Sequence, residues 1–410
     1  MKPRILLVNP PVYDFTAYDF WLQPYGMLRV AGQLRQAAQL TYFNYLTPLR
    51  RNARGQGKFP ATIIPKPALF ADIPRFFRRF GKPRQAFLSC LQEQHFDLVM
   101  IQTVMTYWYL GVREVIEDVR RLQPWARIVL GGVYATLCPD HARTLGADFV
   151  QVGPVSPALS HFLGIELTEG LPFWEGTGSE VGVIKLTEGC PFRCTYCAVP
   201  HLYPRFVARP TNACLEELRY LLRCGVRHVA FYDDALLFQP EQALIPFLEG
   251  VLREGLRVTF HTPNALNARF LTPEIAALMV RAGCQSFYLG FESGSYAWQR
   301  KTGGKVYGEE FRQAVHTLRS AGAPSITAYI ILGHPDSEEQ EVEASIEMCR
   351  QEGVRVMLSE FAPVPGTVDG EKCRQWVDLA EPLNHNKTAF TIRRLGWERV
   401  NALKALSKGL

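Results

Sequence analysis

No apolar run in this 410-residue chain reaches the ~18 residues that a helix needs to cross a bilayer, so no membrane span is expected. No secretory leader is expected either. The chain opens on the strand-like Arg4-Ile-Leu-Leu-Val8, where a leader needs a longer apolar run and a cleavage site. Charge of one sign is scarce: 45 Lys and Arg against 39 Asp and Glu leave a net +6, too little to mark the whole chain as a polyanion binder. A disulfide framework is absent as well, because seven of the ten cysteines (Cys90, Cys138, Cys214, Cys224, Cys284, Cys349 and Cys373) lie scattered. The expected setting is a reducing, cytoplasmic compartment with no membrane partner. Composition is that of an ordinary globular protein, and the length allows two or three domains with full cores.

One basic concentration stands out between Arg50 and Arg84, interleaved with Phe59, Phe70, Phe76, Phe77 and Phe80. Basic residues mixed with aromatics can form a nucleic-acid surface. A solvated helix edge whose Phe rings dock on the domain is the reading preferred here, and nucleic acid is not expected as a partner.

The chemistry is announced by Thr187-Glu-Gly-Cys190-Pro-Phe-Arg-Cys194-Thr-Tyr-Cys197. Three thiolates in one short loop can each take one corner of an iron–sulfur cube, a soft-ligand arrangement, and no fourth cysteine lies nearby. One iron then keeps an open position for a small molecule. A structural zinc site needs a fourth ligand, for which only His201 is close. With Tyr196 before the last Cys and the strand-like run Val181 to Leu186 ahead of it, the segment resembles the motif of radical S-adenosylmethionine (SAM) enzymes.

Strand-like and helical runs alternate in the N-terminal third: strands at Ile5–Val8, Leu98–Gln102, Ile128–Leu130 and Ala147–Val152, with helical spacing over Gly26–Ala38 and Gly111–Leu122. This predicts a doubly wound, Rossmann- or flavodoxin-like parallel sheet with its ligand outside the carboxyl ends of the strands. The loops there contain Asn9, Pro10, Thr103, Gly131, Gly132 and Tyr134. Val8-Asn-Pro-Pro11 and Gly131-Gly-Val-Tyr-Ala-Thr136 resemble the cobalamin-binding domain that precedes many radical SAM domains, which implies cobalamin contacts for those residues. There is a departure: Asn9 to Gly26 holds no His, so the Asp-x-His-x-x-Gly cobalt-ligating loop is missing. Cobalamin here is expected to bind without that ligand unless His95 or His141 replaces it.

From Val181 a second alternation predicts six parallel strands, the partial (β/α)6 barrel that the resemblance implies, with active groups at the strands' carboxyl ends. Candidate domains are 1–155 (cobalamin-binding-like), 156–180 (linker), 181–368 (radical SAM) and 369–410 (C-terminal extension). By resemblance, Cys190, Cys194 and Cys197 hold a [4Fe–4S] cluster, while Tyr196, Asp233, Asp234, Asn264, Glu292, Ile331 and Gly333 contact SAM. Asp233 and Asp234 have a plainer reading as caps of the next helix. His201, Tyr203, His261 and His334 are substrate-facing candidates by position, and Cys373 is a candidate second thiol.

The implied activity is reductive cleavage of SAM to a 5′-deoxyadenosyl radical, with cobalamin-dependent methyl transfer to an unactivated carbon of a small molecule or peptide and a flavodoxin or ferredoxin as electron donor. Alternatives are a cobalamin-linked radical cyclase or rearrangement enzyme, a radical enzyme whose N-terminal domain has lost cobalamin, or a non-enzymatic cobalamin or metal carrier. Transfer RNA methylthiolation would require a second cysteine triad, which Cys90 and Cys138 cannot form.

Overall fold

The computed structural model describes residues 2–409. The chain divides into two compact units, one running to Ser179 and joined by Asp378–His385, the other comprising Glu180–Val377 and the residues from Asn386 onward. Among the described residues no helix is long and apolar enough to cross a membrane.

In the first unit, β1 (Arg4–Asn9), β2 (Gln39–Asn44), β3 (Leu98–Thr103), β4 (Arg127–Gly132) and β5 (Phe149–Val150) form one parallel sheet in the order β2-β1-β3-β4-β5. That is the flavodoxin-like order, whose direction of winding reverses between β1 and β3. The aliphatic cores of β1 and β3 are buried, as continuous apolar runs in a two-faced parallel sheet must be. β2 was not legible as a strand: Gln39-Leu-Thr-Tyr-Phe-Asn44 is a half-exposed edge with no aliphatic run. The helices α1 (Tyr25–Leu34) and α2 (Tyr109–Leu122) sit close to their expected places.

The basic, Phe-rich insertion is not a helix edge. Val12–Asp14, Ala61–Ile64 and Phe77–Phe80 pair as a small antiparallel sheet. Phe59, Phe70, Phe77 and Phe80 are buried in it and Phe76 is exposed. Three of its basic residues are tied to buried carboxylates: Arg79 grips Glu114 through two bonds of 2.9 and 2.6 Å, Arg84 does the same to the fully buried Asp118, and Arg51 pairs with Asp19. Buried carboxylates require such partners.

Residues 156–180 were expected to be a loose linker, and all but Glu180 are instead part of the first unit. Leu159 and Leu163 of the helix Pro157–Leu163 enter its core, Trp174 is buried and stacks on Tyr25 at 6.4 Å, and Phe173 N donates to Leu28 O at 2.9 Å. Prolines suggested a crossing; the apolar residues between them made it a docked strap.

In the second unit, β6 (Val181–Ile184), β7 (His228–Phe231), β8 (Thr259–His261), β9 (Cys284–Glu292), β10 (Ile326–Leu332) and β11 (Arg355–Glu360) lie in sequential order, every pair parallel. This is the open (β/α)6 barrel expected from the sequence. Residues 369–377 and those from 386 belong to the same unit as the barrel rather than to a separate extension. Lys404 and Thr388, from the helices Trp397–Ser407 and Lys387–Leu395, both bond Glu360 at the end of β11.

Gly111 marks where the loop after β1 crosses α2, since a Cβ there would collide with the Pro11 carbonyl oxygen and lie 2.8 Å from its carbon. Backbone cannot swing aside as a side chain can. Gly111→Ala is expected to destabilise the protein by about 1–3 kcal/mol of overpacking, outweighing the ~1 kcal/mol that Ala gains over Gly in a helix. Urea unfolding of the full chain measures the balance, and a variant more stable than its parent would refute it.

Candidate active site

β6 feeds directly into the cysteine loop. Beyond it Thr187–Glu188 pairs antiparallel with Val207–Ala208, and Gly189 turns the chain at φ +76°, where a Cβ would collide with Arg205 O. Only glycine fits that turn. Cys190, Cys194 and Cys197 follow as free, half-buried thiols. Cys197 N donates to Cys194 O at 3.1 Å and Thr195 N to Thr302 O at 3.2 Å. Gly303, at φ +111°, closes the helix Tyr296–Thr302, and a Cβ on it would come within 3.1 Å of the Cys194 Cα. The loop thus lies flush against that helix end.

Burial pushes all three thiols up, Cys197 to about 12, while the Lys305 ammonium pulls each back. Thiolates in this loop need more positive charge than one ammonium provides, and iron supplies it. Among the described residues no three His, Cys, Asp or Glu side chains converge as a single-ion site would require. A cube takes its three thiolates at three separate corners, so the donor set and its loop fit the cluster.

Asp233 follows β7 and is 2% exposed. Its Oδ1 accepts from Leu186 N at 2.9 Å, Thr187 N at 2.6 Å and the Thr187 hydroxyl at 2.7 Å, while Oδ2 is buried without a hydrogen-bond partner. Burial raises its pKa to about 6 against the lowering effect of Thr187 and Lys185. Asp234 pairs with the nearly buried Lys185 at 3.2 Å, and Lys185 lies over the Tyr203 ring at 4.3 Å, with its ammonium 3.2 Å from the Tyr203 hydroxyl. Neither aspartate is the cap of a helix. The Oδ2 oxygen is left with its acceptor capacity unfilled.

Glu292 ends β9 at φ +65°, an uncommon conformation for a non-glycine residue, beside an irregularity in the β9–β10 register. Such a conformation persists only where surroundings impose it. Lys305 does so through a 2.7 Å ion pair, its ammonium passing over Gly290, where any Cβ would collide with it. Burial pulls the Lys305 ammonium down, but Glu292 and the thiols Cys194 and Cys197 more than compensate and raise it.

Tyr196 stacks on Trp298 at 5.8 Å and packs with Ile331, Phe361, Cys373 and Phe390. Its hydroxyl is buried with no partner among nitrogen or oxygen atoms and interacts with Cys194. Gly333 turns the chain after β10 at φ +82°, where a Cβ would lie 2.7 Å from the Thr391 hydroxyl. Asn264 is exposed and bridges to Tyr232 O at 2.9 Å. The structure therefore groups Tyr196 with Ile331, and Glu292 with Lys305 and Cys194, around one barrel mouth. His201 is exposed there; His261 is buried between His228 and Ser286, and His334 is buried against Asp369. Cys373 is also fully buried, its thiol donating to Asp369 O and raised to about 12 by burial, which leaves it an inert filler. Lys305 and Asp369 were missed by sequence reasoning, since neither sits in a motif.

In the first unit, a cleft opens at the β1/β3 reversal, lined by Asn9, Pro10, Pro11, Thr103, Met105 and Trp108 and bearing no ionisable side chain. Gly131 O accepts from the Thr103 hydroxyl at 2.9 Å, and Gly132, at φ +109°, leaves no room for a Cβ beside Thr103 O. Both glycines stand behind Thr103 rather than in the cleft. Tyr134 is fully buried, its hydroxyl 2.6 Å from His141 Nδ1. His95 lies 3.6 Å from Asp97, just before β3 and thus at the opposite end of the strand from the cleft. The walls of this cleft at the switch point are neutral, and none of these histidines lines it.

Residues 184–349 match the model of the Radical SAM superfamily, and that part of the chain is a radical SAM domain. A 196-residue stretch is 29% identical to bacteriochlorophyllide d C-12(1)-methyltransferase of Chlorobaculum tepidum, covering 46% of this chain and 42% of the relative. Threonylcarbamoyladenosine tRNA methylthiotransferase of Thermotoga maritima is 25% identical over 281 residues, covering 62% of this chain and 64% of the relative. The chain thus spans about two fifths of one curated relative and just under two thirds of the other. In fold it is similar to the radical SAM methyltransferase TsrM of Kitasatospora setae, solved with tryptophan and a SAM analogue, at TM-score 0.70 and 15% identity over 98% of this chain and 89% of that one. The same enzyme, solved with cobalamin and a [4Fe–4S] cluster, superposes at 0.69. At such identity the likeness is one of fold.

Asp233 gives a test by pH. Its folded pKa of about 6 exceeds the ordinary 3.8, so the folded state holds the proton longer than the unfolded chain. The associated stability is complete below about 4 and is lost as pH rises through about 6. Asp233→Asn keeps one oxygen for its three donors and does not ionise. It should gain on its parent by about 3 kcal/mol across that window, since each tenfold difference in proton affinity between folded and unfolded chain is worth ~1.4 kcal/mol. Urea unfolding at pH 4 and pH 7 reads the difference; a constant gap between the proteins would place the carboxyl at an ordinary pKa.

Proposed function

We propose that this chain, with its radical SAM domain and a switch-point cleft in a flavodoxin-like sheet, is a cobalamin-dependent radical SAM methyltransferase acting on a carbon of a small molecule. The observation that carries the reading is the loop of Cys190, Cys194 and Cys197 at the carboxyl end of the first barrel strand, three soft donors with no fourth beside them. When bound, the cluster gives one electron to the sulfonium of SAM to release a 5′-deoxyadenosyl radical, and cobalamin carries a methyl group.

The chain's own residues supply binding and exclusion. The free oxygen of Asp233 accepts an ammonium, the salt-bridged Glu292 presents a carboxylate in a rigid backbone, and Tyr196 with Ile331 offers an apolar wall. Asn264 and Gly333 border that mouth. Asn9, Pro10 and Thr103 form the walls for cobalamin, with Gly131, Gly132 and Tyr134 shaping the support behind them. The names of the relatives support methyl transfer, and TsrM supports the pairing of cobalamin with a cluster in this fold. The basic residues engaged by Glu114, Asp118 and Asp19 argue for a small substrate over RNA. A reducing cytoplasm and a flavodoxin or ferredoxin donor complete the proposal, in keeping with ten free thiols.

Anaerobically reconstituted protein should hold about four irons per chain, lose them when the three cysteines are changed to Ala, and release 5′-deoxyadenosine from SAM under reduction. A triple variant that keeps a full cluster would sink the assignment. Added hydroxocobalamin should bind stoichiometrically, and labelling the protein with 15N-histidine should leave its reduced cobalt resonance unchanged, since no histidine lines the cleft. Failure to take up cobalamin under conditions that load the cluster would leave a radical SAM enzyme without methyl-carrier chemistry. A resonance altered by the histidine label would mean that a histidine from elsewhere enters the cleft.

A further inference from the structure

We propose that Asp369, oriented by His334, is a positioning residue that locks Thr195 and thereby fixes the arrangement of Cys194 and Cys197 for the cluster. The inference rests on reading the cysteine loop as a cluster site. Thr195 separates Cys194 from Tyr196, and each of its polar groups is engaged. Its N–H donates to Thr302 O at 3.2 Å, its carbonyl accepts from Asp369 N at 3.1 Å, and its hydroxyl donates to Asp369 Oδ2. Asp369 therefore holds the loop twice, by main chain and by carboxylate.

The carboxylate is itself over-determined. It is fully buried, with Lys372 Nζ at 2.7 Å from Oδ1 and His334 Nε2 at 2.9 Å from Oδ2. His334 has one tautomer available, because its Nδ1 faces two groups that only donate, Trp298 Nε1–H at 3.3 Å and Asp336 N–H at 3.1 Å. Nε2 thus carries the proton and donates to Asp369. Burial raises the Asp369 pKa, but the donors His334, Lys372 and Thr195 more than offset it and hold the carboxyl well below the ordinary range. Trp298, which orients His334, also stacks on Tyr196, so one indole steadies both the brace and the loop.

Asp369 lies on the short helix Val368–Lys372, capped by the Thr367 hydroxyl and outside the residues that match the family model. A brace of this kind acts on ligands without touching iron. Loss of a group that orients ligands commonly costs 10–100-fold in metal retention.

The test uses full-length protein, reconstituted anaerobically with iron and sulfide, and four forms: the parent, Thr195→Val, Thr195→Ser and Asp369→Asn. Thr195→Val keeps the shape and removes the hydroxyl; Thr195→Ser keeps the hydroxyl. The readouts are the rate at which a ferrous chelator strips iron, the paramagnetic resonance of the reduced cluster, and urea unfolding of the cluster-free protein. Thr195→Val and Asp369→Asn should lose iron about 10–100-fold faster than the parent with an altered resonance, and Thr195→Ser should behave as the parent. Equal iron loss from parent and Thr195→Val, or equal losses from the Val and Ser variants, would overturn the inference while leaving the cluster itself intact. So would a Thr195→Val protein whose cluster-free fold weakens in step with its iron retention, since that marks a general structural role. A parent that takes up no iron would overturn the cluster reading, and the brace with it.

Discussion

Buried carboxylates grip the cysteine loop at two points, and the barrel mouth depends on that grip. Asp233 takes three hydrogen bonds from Leu186 and Thr187 where the chain leaves β6, and Asp369 takes the Thr195 hydroxyl between two cluster cysteines. An ionised carboxylate inside a protein is costly unless donors saturate it. Here most of the donors belong to the loop or its approach, so the conformation of the loop and the burial of the carboxylates stabilise each other. Asp369 is saturated and stays ionised; Asp233 keeps one bare oxygen and a raised pKa. That asymmetry separates a pure brace from a group that still has something to bind.

The Glu292–Lys305 pair extends the same economy of charge. A left-handed Glu at a strand end is unfavourable by itself, and the ion pair across Gly290 holds it there. The ammonium also acts on Cys190, Cys194 and Cys197, so one cation serves a carboxylate and three thiols. In the other unit the cleft itself carries no ionisable side chain. The cleft between β1 and β3 is walled by proline, threonine, methionine and tryptophan, and its position follows from strand order, because loops after β1 and β3 leave the sheet toward opposite faces.

Much of this was legible in the chain. Ile5–Val8 and Leu98–Gln102 are short aliphatic runs and the barrel strands have buried apolar centres, and such runs are buried in a parallel sheet whichever way they are approached. The spacing of Cys190, Cys194 and Cys197 specifies a three-ligand loop by local geometry alone. Other elements had no local signal. Gln39–Asn44 is an edge strand recruited by β1, and the Phe-rich insertion reads as amphipathic in either period until pairing with Val12–Asp14 makes it a sheet. Residues 156–180 looked loose because proline obscured the buried Leu159, Leu163 and Trp174.

The sequence by itself determined which strands form, where the thiols lie and which chemistry their number allows, because each depends on residues within a few positions of one another. Tertiary structure alone decided what holds those thiols and which carboxylate is left to bind. Thr195 and Asp369 are 174 residues apart, and Leu186 and Asp233 are 47 apart. Neither pair shares a helix turn or a strand neighbour in sequence. Their partnership exists only because parallel strands, joined through helices, bring their carboxyl ends to one mouth, where buried charge must find its donors from whatever the fold has placed there.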